Sequence, residues 1–322
     1  MYSFKELTSI FTEKFTTTTH FPDVPNSLYE PCNYFLSLGG KRIRPVMCLM
    51  GNELFGDIQE DAFDAAIAVE LFHNFSLIHD DIMDAAPLRR SMPTVHKKYN
   101  ENTAILSGDV MLIKCYDYIN KIRSSYIHRA LHLFNKTARE VCEGQQLDMD
   151  FEQKENVQLE EYIHMISLKT SVLIAASLEL GAILGGAGEG NCKNIYEFGR
   201  NLGIAFQIQD DYLDAFGNPE KFGKDVGGDI KQNKKTFLLI HALDVATNEQ
   251  RNELKNLMQT NPPDKVEKIV SIFKACNVDE WANKLKEKYV ALAYTHLEKI
   301  AVVSTRKKPL MELTDYLFQR EF

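Results

Sequence analysis

Glycine and proline are scarce in this chain, at 17 and 10 of 322 residues. Its β-branched runs are short, and no convincing series of alternating strands can be read from it. A sheet-built fold is excluded on these grounds and an all-α fold is expected. The six cysteines, at positions 32, 48, 115, 142, 192 and 276, lie far apart and form no CxxC pair. Such spacing argues against a disulfide framework or a zinc site and fits reduced core thiols in a cytoplasmic protein. An excess of positive charge is also missing. The formal net charge of -8 argues against a nucleic-acid partner but leaves room for a local basic patch around a small phosphorylated ligand. Met1 to Phe15 is broken by Lys5, Glu6, Glu13 and Lys14, so it does not read as a signal peptide. The most apolar later stretch, Ser171 to Ala187, carries Glu179 and ends among glycines. It reads as a core helix, so the chain is not expected to be an integral membrane protein.

What the chain does have is apolar spacing of three and four in nearly every segment. Helices are expected over Tyr2 to Phe15, Leu28 to Leu38, Arg42 to Leu54, Ile58 to Met83, Thr103 to Ile122 and Ile127 to Leu147. Others are expected over Gln158 to Leu184, Cys192 to Phe216 and Leu310 to Phe318, with a Gly- and charge-rich loop at Phe222 to Lys235. The helix from Ile58 would be about 39 Å long, enough to cross a domain. No low-complexity linker divides the chain, so residues 1–322 are expected to form a single all-helical domain.

One of these helices ends in an electrostatic anomaly. His79-Asp80-Asp81-Ile82-Met83-Asp84 places three carboxylates at the close of an apolar run that begins at Ala65. A buried helix has no structural use for uncompensated negative charge, and a carboxylate at a helix C-terminus opposes the macrodipole. A second copy, Asp210-Asp211-Tyr212-Leu213-Asp214, again closes an apolar segment. In each copy the first and fifth residues lie one helical turn apart, so all three acids can share a face. Solvated helix ends are the bland alternative. Two matching trios fit better as walls of a site for Mg²⁺, a hard ion that links a few carboxylates to substrate phosphates.

Cations accompany the acids. Gly39-Gly40-Lys41-Arg42-Ile43-Arg44-Pro45 puts two glycines and three cations at a helix N-terminus, where backbone N–H groups with Lys41 and Arg44 can cradle a diphosphate. Taken alone, it reads equally well as a basic surface turn. Arg89 and Arg90 follow the first trio, and Lys169-Thr170, Lys224 and Lys234-Lys235 add positive charge. Each of these lysines by itself is an ordinary surface group. The glycines at 185–190 follow a helix rather than a strand, which removes a dinucleotide-binding reading.

Taken together, these motifs resemble the head-to-tail (trans) isoprenyl diphosphate synthases. The resemblance spans almost the whole chain: GGKRIRP at 39–45, DDIMD at 80–84 with Arg89-Arg90, GQQLD at 144–148, Lys169-Thr170, Gln207 with DDYLD at 210–214, and GKDVGGDIKQNKKT at 223–236. It implies one large helical bundle of the isoprenoid synthase type around a deep central cavity, usually as a homodimer. Carried over by position, Asp80 and Asp84, with Asp81 alongside, form the first metal motif, and Asp210, supported by Asp211 and Asp214, forms the second; Asp80, Asp84 and Asp210 are the catalytic carboxylates of the set. About three Mg²⁺ ions are then expected with substrate bound. Arg89, Lys169, Thr170, Gln207, Lys224 and Lys234 match the allylic diphosphate site, with Lys169 and Lys224 also assisting catalysis. Gly40, Lys41, Arg44, His73 and Arg90 match the isopentenyl diphosphate site, although a lone histidine on an apolar helix is more often a satisfied core residue. The glycine-rich loop has one residue more than in some relatives between Lys224 and Lys234.

The implied reaction is Mg²⁺-dependent condensation of isopentenyl diphosphate with an allylic diphosphate. Phe75, five residues before Asp80, and Phe72, a turn further back, are expected to floor the product cavity, with Ser76 small beside them. By resemblance, large rings at that depth and an uninserted DDIMD motif point to a geranylgeranyl (C20) product, with farnesyl (C15) the alternative. A terpene cyclase would leave GGKRIRP and the second motif unexplained. A non-catalytic partner subunit of a heteromeric synthase would be expected to lack some of the six aspartates.

Overall fold

The computed structural model describes residues 1–217 and 226–318, and these are overwhelmingly helical. The expected Lys224 lies outside the described residues. The chain clusters into two compact units. The first holds residues 1–134, 176–193 and 302–309; the second holds the described residues of 135–175, 194–301 and 310–322.

In the first unit, α1 (Phe4–Thr17) opens on a reciprocal cap in which the Glu6 N–H donates to Ser3 Oγ and the Ser3 N–H donates to Glu6 Oε2. It buries Leu7, Phe11 and Phe15. The next helices are α2 (Asn26–Ser37), α3 (Ile43–Glu53) and α4 (Glu60–Met83). Most of α4 is buried, from Ala62 to Asp81, which is why its sequence is apolar on nearly every side until the acidic end.

The polar connection after α4 is more ordered than its sequence signals. Leu88–Arg89 (β1) pairs antiparallel with Met92–Pro93 (β2), and Arg90 and Ser91 make the turn with φ of 53° and 64°. A short α5 (Val95–Lys98) leads to α6 (Glu101–Ile119), whose first turn is capped by Asn100 accepting from the Thr103 N–H at 2.8 Å.

Helix α7 (Ser124–Gln153) exceeds its expected span at both ends, and its residues fall in both units. The predicted single helix from Gln158 to Leu184 is divided: α8 (Leu159–Ile166), a π-helical turn over Ser167–Ser171, and α9 (Val172–Leu184). By length and composition Leu159–Leu184 could cross a bilayer, but 78% of its most apolar window is buried, as in a core helix.

The second unit also holds most of α10 (Glu189–Phe216), followed by α11 (Gly228–Lys231), α12 (Phe237–Val245), α13 (Asn248–Thr260), α14 (Lys265–Ala275) and α15 (Val278–Glu298). The final helix, α16 (Ser304–Phe318), begins earlier than expected because Pro309 is accommodated within it. The second unit's core gathers Tyr162, Ile166, Ile208, Phe237 and Phe273.

Candidate active site

The first acidic motif occupies the last turn of α4, with Asp84 as its C-cap. Its three carboxylates are not equivalent. Asp81 is turned inward and only 1% exposed, whereas Asp80 is half-buried and Asp84 is exposed. Arg89 on β1 grips Asp81: Nε donates to both carboxylate oxygens at 2.8 Å and Nη2 to Oδ1 at 2.7 Å. Burial pushes the Asp81 carboxyl above its usual range, and Arg89 opposes that shift. The second aspartate therefore fixes a cation beside the first, since Arg89 Nη2 lies 3.7 Å from Asp80 Oδ2.

The basic pocket belongs to the same unit. Gly39 and Gly40 have φ of 78° and 153°, angles that suit residues without a Cβ. A Cβ on Gly40 would lie 2.9 Å from Arg90 Nη2, so a larger residue there would push that guanidinium aside. Arg44 Nη1 donates to His73 Nε2 at 3.2 Å, which leaves the imidazole proton on Nδ1. Burial, with Arg44, Arg90, Arg89 and Arg42 adding to it, holds His73 well below its usual pKa, so it is neutral. Burial also lowers Arg44 to about 10, against support from Glu70, which leaves it charged at neutral pH. Arg42, the middle cation of the motif, is withdrawn into a buried ion pair with Glu70. Lys41, Arg44 and Arg90 then supply the positive charge around a neutral histidine, in a form suited to a diphosphate that brings no metal.

The second acidic motif repeats the division of labour. Asp211 is buried and accepts from the Tyr162 hydroxyl and from Gln207 Nε2, the latter at 2.8 Å. Thr170 extends the chain by donating to Gln207 Oε1 at 3.0 Å. Burial pushes Asp211 up to about 8. Asp214 caps α11, accepting from the Gly228 N–H at 3.2 Å and the Asp229 N–H at 3.0 Å. Asp210 is exposed.

Lys169 sits in the π turn and donates to Asp148 Oδ2 at 2.5 Å. Lys234 Nζ is 3.7 Å from Asp229 Oδ1, whereas Lys235 turns away to hold the carbonyls of Phe151 and Glu152 at 2.7 and 3.0 Å. Glu70, Asp148, Tyr162 and Asp229 are site residues to which sequence reasoning assigned no role. Asp148 and Asp229 fall inside the GQQLD and GKDVGGDIKQNKKT segments, whereas Glu70 and Tyr162 lie 28 and 49 residues from Arg42 and Asp211, so no local spacing marks them.

No three His, Cys, Asp or Glu side chains converge into a metal cage among the described residues. The donor set nonetheless fits Mg²⁺, which takes one or two carboxylates and completes its shell with water and phosphate oxygen. Burial raises Asp229 to about 6, and Asp214, Asp210 and Asp148 add to the shift against Lys234. That is a crowd of like charges which a divalent cation would relieve.

The expected floor residues lie on α4 in an aromatic cluster. Phe75 meets Phe72 edge-on with ring centroids 5.4 Å apart, and Phe72 meets Phe134 in the same manner at 5.5 Å. Tyr116 continues the ladder from Phe134 at 5.5 Å. Ser76 instead turns its hydroxyl back to the His73 carbonyl at 2.9 Å.

The first unit thus holds Asp80, Asp81, Asp84, Arg89, the arginine pocket and the aromatic cluster. The second holds Lys169, Thr170, Gln207, Asp210, Asp211, Asp214 and Lys234. Each unit thus carries one aspartate motif with basic side chains in the same unit, a donor set suited to diphosphate ligands. The polyprenyl synthetase family model matches residues 25–276. The chain is 37% identical over 298 residues to a short chain isoprenyl diphosphate synthase of Methanothermobacter thermautotrophicus, covering 92% of this chain and 91% of the relative. A geranylgeranyl diphosphate synthase of Methanosarcina mazei is 35% identical over 300 residues, with 92% and 91% covered. A crystal structure of a geranylgeranyl pyrophosphate synthase superposes with a TM-score of 0.95 at 42% identity, covering 100% of both chains. The chain belongs to the polyprenyl synthetase family and is a prenyltransferase with that family's all-α fold. The family uses Mg²⁺.

Proposed function

We propose that this enzyme condenses isopentenyl diphosphate with an allylic diphosphate and releases geranylgeranyl diphosphate. One observation carries the reading: the first unit pairs two anion sites of different kinds. The carboxylate motif at Asp80 and Asp84 suits a diphosphate bound through metal, and the pocket of Lys41, Arg44 and Arg90 suits one bound without it. A condensation of two diphosphates needs both kinds, whereas a terpene cyclase needs only the first.

Asp80, Asp84 and Asp210 are the carboxylates we assign to Mg²⁺, with Asp81, Asp211 and Asp214 holding the surrounding groups in place. Bound Mg²⁺, about three ions, supplies neutralising charge at the leaving diphosphate. Arg89, Lys169 and Lys234 add fixed positive charge where negative charge grows as the allylic C–O bond breaks, so they favour the transition state over the neutral bond. Lys224 has the same assignment. Lys41, Arg44 and Arg90 hold isopentenyl diphosphate, with neutral His73 as a hydrogen-bond partner rather than a fourth cation. The double bond attacks the allylic C1, and the proton lost from the new chain passes to the released diphosphate.

Phe75, backed by Phe72 and Phe134, supports a short product, as do the relatives named geranylgeranyl diphosphate synthase. We also assign the enzyme to the cytoplasm, with six free cysteines, and treat residues 1–322 as one catalytic domain. A homodimer is supported by the large apolar side chains that α6 leaves outward, Leu106 and Ile113, which are 57% and 62% exposed on either side of Asp109. Chromatography of products from isopentenyl diphosphate with dimethylallyl, geranyl or farnesyl diphosphate tests activity and length together. Absence of any elongated product in the presence of Mg²⁺ would reject the reading.

A further inference from the structure

The turn entering α3 needs something to hold it. Among residues 39–42, Gly39, Gly40 and Arg42 have positive φ, of 78°, 153° and 51°. Glycine takes such angles freely. Arginine does not, because its Cβ crowds the following carbonyl oxygen in left-handed backbone.

Three contacts oppose that penalty. Arg42 Nη1 is ion-paired to a Glu70 oxygen on α4, with both side chains 3% exposed. The guanidinium also lies over the Phe15 ring of α1, 4.8 Å from its centroid. Glu70 is pinned in turn by Asn74, which donates to the same Oε1 at 3.1 Å and to the Glu70 carbonyl at 2.6 Å. The carboxylate is thereby kept on Arg42, although Arg44 and Arg90 feel its charge.

We infer that Arg42 and Glu70 form a positioning pair for the isopentenyl diphosphate pocket. Their buried ion pair locks the turn in its left-handed form and so presents Lys41 and the adjoining backbone to the diphosphate. The inference rests on the assignment of that pocket made above. A turn released from the pair spends most of its time in ordinary right-handed conformations. Apparent affinity then falls in proportion to the competent fraction, about tenfold for a typical left-handed penalty.

The test removes the pair without stranding a buried charge, by the double change Arg42→Met with Glu70→Leu, a kind of exchange that often preserves stability. The expected result is a Tm near that of the wild type and an isopentenyl diphosphate KM raised about tenfold, with allylic KM and kcat changed by less than about twofold. Calorimetric titration with inorganic pyrophosphate in the absence of Mg²⁺ should weaken in parallel. A folded double variant with an unchanged isopentenyl diphosphate KM, or with both KM values raised together, overturns the inference. Should the double variant not fold, Arg42→Lys keeps the charge but loses the planar fork. It should raise the isopentenyl diphosphate KM by a smaller factor, and an unchanged value overturns the inference. A wild-type protein that neither binds pyrophosphate without metal nor elongates an allylic diphosphate would instead remove the pocket assignment itself.

Discussion

Replacing Gly144 with alanine sets helix propensity against packing. Gly144 lies inside α7, where alanine is intrinsically favoured by about 1 kcal/mol. A Cβ added there, however, would lie 2.2 Å from the Lys169 N and 2.6 Å from the Lys169 Cα. Both are backbone atoms of the π turn, so no side chain can swing aside. Ordinary contact begins at 3.4 Å, and 3.4 minus 2.2 leaves 1.2 Å to be made up by moving one segment away from the other. Overpacking of this kind costs about 1–3 kcal/mol, enough to cancel the propensity gain and leave a net loss near 1 kcal/mol. The displaced residue is Lys169, whose ammonium is fixed on Asp148 at 2.5 Å. A misplacement of about 1 Å can cost about a hundredfold in rate. Thermal unfolding and diphosphate release at saturating substrates would measure the two effects. Gly190 in the first turn of α10 is the control, since nothing lies within 4 Å of its added Cβ and alanine should be tolerated there. A Gly144→Ala protein that is more stable than wild type and keeps its kcat would refute the packing argument.

Phe75→Ala should lengthen the product, read by chromatography, and should lower stability by about 3–5 kcal/mol if the cavity does not collapse; an unchanged chain length removes Phe75 from the floor. Ser91 holds a φ of 64° in the hairpin turn, so Ser91→Gly should raise thermal stability by about 1 kcal/mol, and no gain would mean that the turn is unstrained. His20 is buried, accepts from the Tyr118 hydroxyl at 2.8 Å and donates to the Phe15 carbonyl at 2.9 Å, and burial lowers its pKa. The unfolded chain therefore binds a proton more readily, so the stability from neutral His20 is present above pH 6.5 and is lost as the pH falls from there toward the lower folded value. Melting curves from pH 7.5 to 5.5 should fall more steeply for the wild type than for His20→Gln, and parallel slopes would contradict this assignment.

The amino-acid sequence alone determined the helical class, the two DDxxD motifs and the basic stretches that accompany them. These are local properties: apolar spacing of three and four is written along the chain, and residues one turn apart must share a face whatever surrounds them. Tertiary structure decided which partner each residue of these groups takes. Asp80 and Asp81 are adjacent, and spacing cannot choose between them. Arg89 takes Asp81, just as Tyr162 and Gln207 take Asp211. Lys235 is as basic as Lys234, yet it serves the end of α7 through two carbonyls. Arg42 stands between Lys41 and Arg44 and points inward because Glu70, 28 residues later, is buried opposite it. The π turn at Ser167–Ser171 was invisible for the same reason. Its residues read as ordinary helix, and Gly144 and Gly203, both remote in sequence, pack closely against its backbone. Local periodicity builds the helices and brings the charges to their ends. Burial and long-range pairing then separate the charged groups left toward solvent from those turned inward.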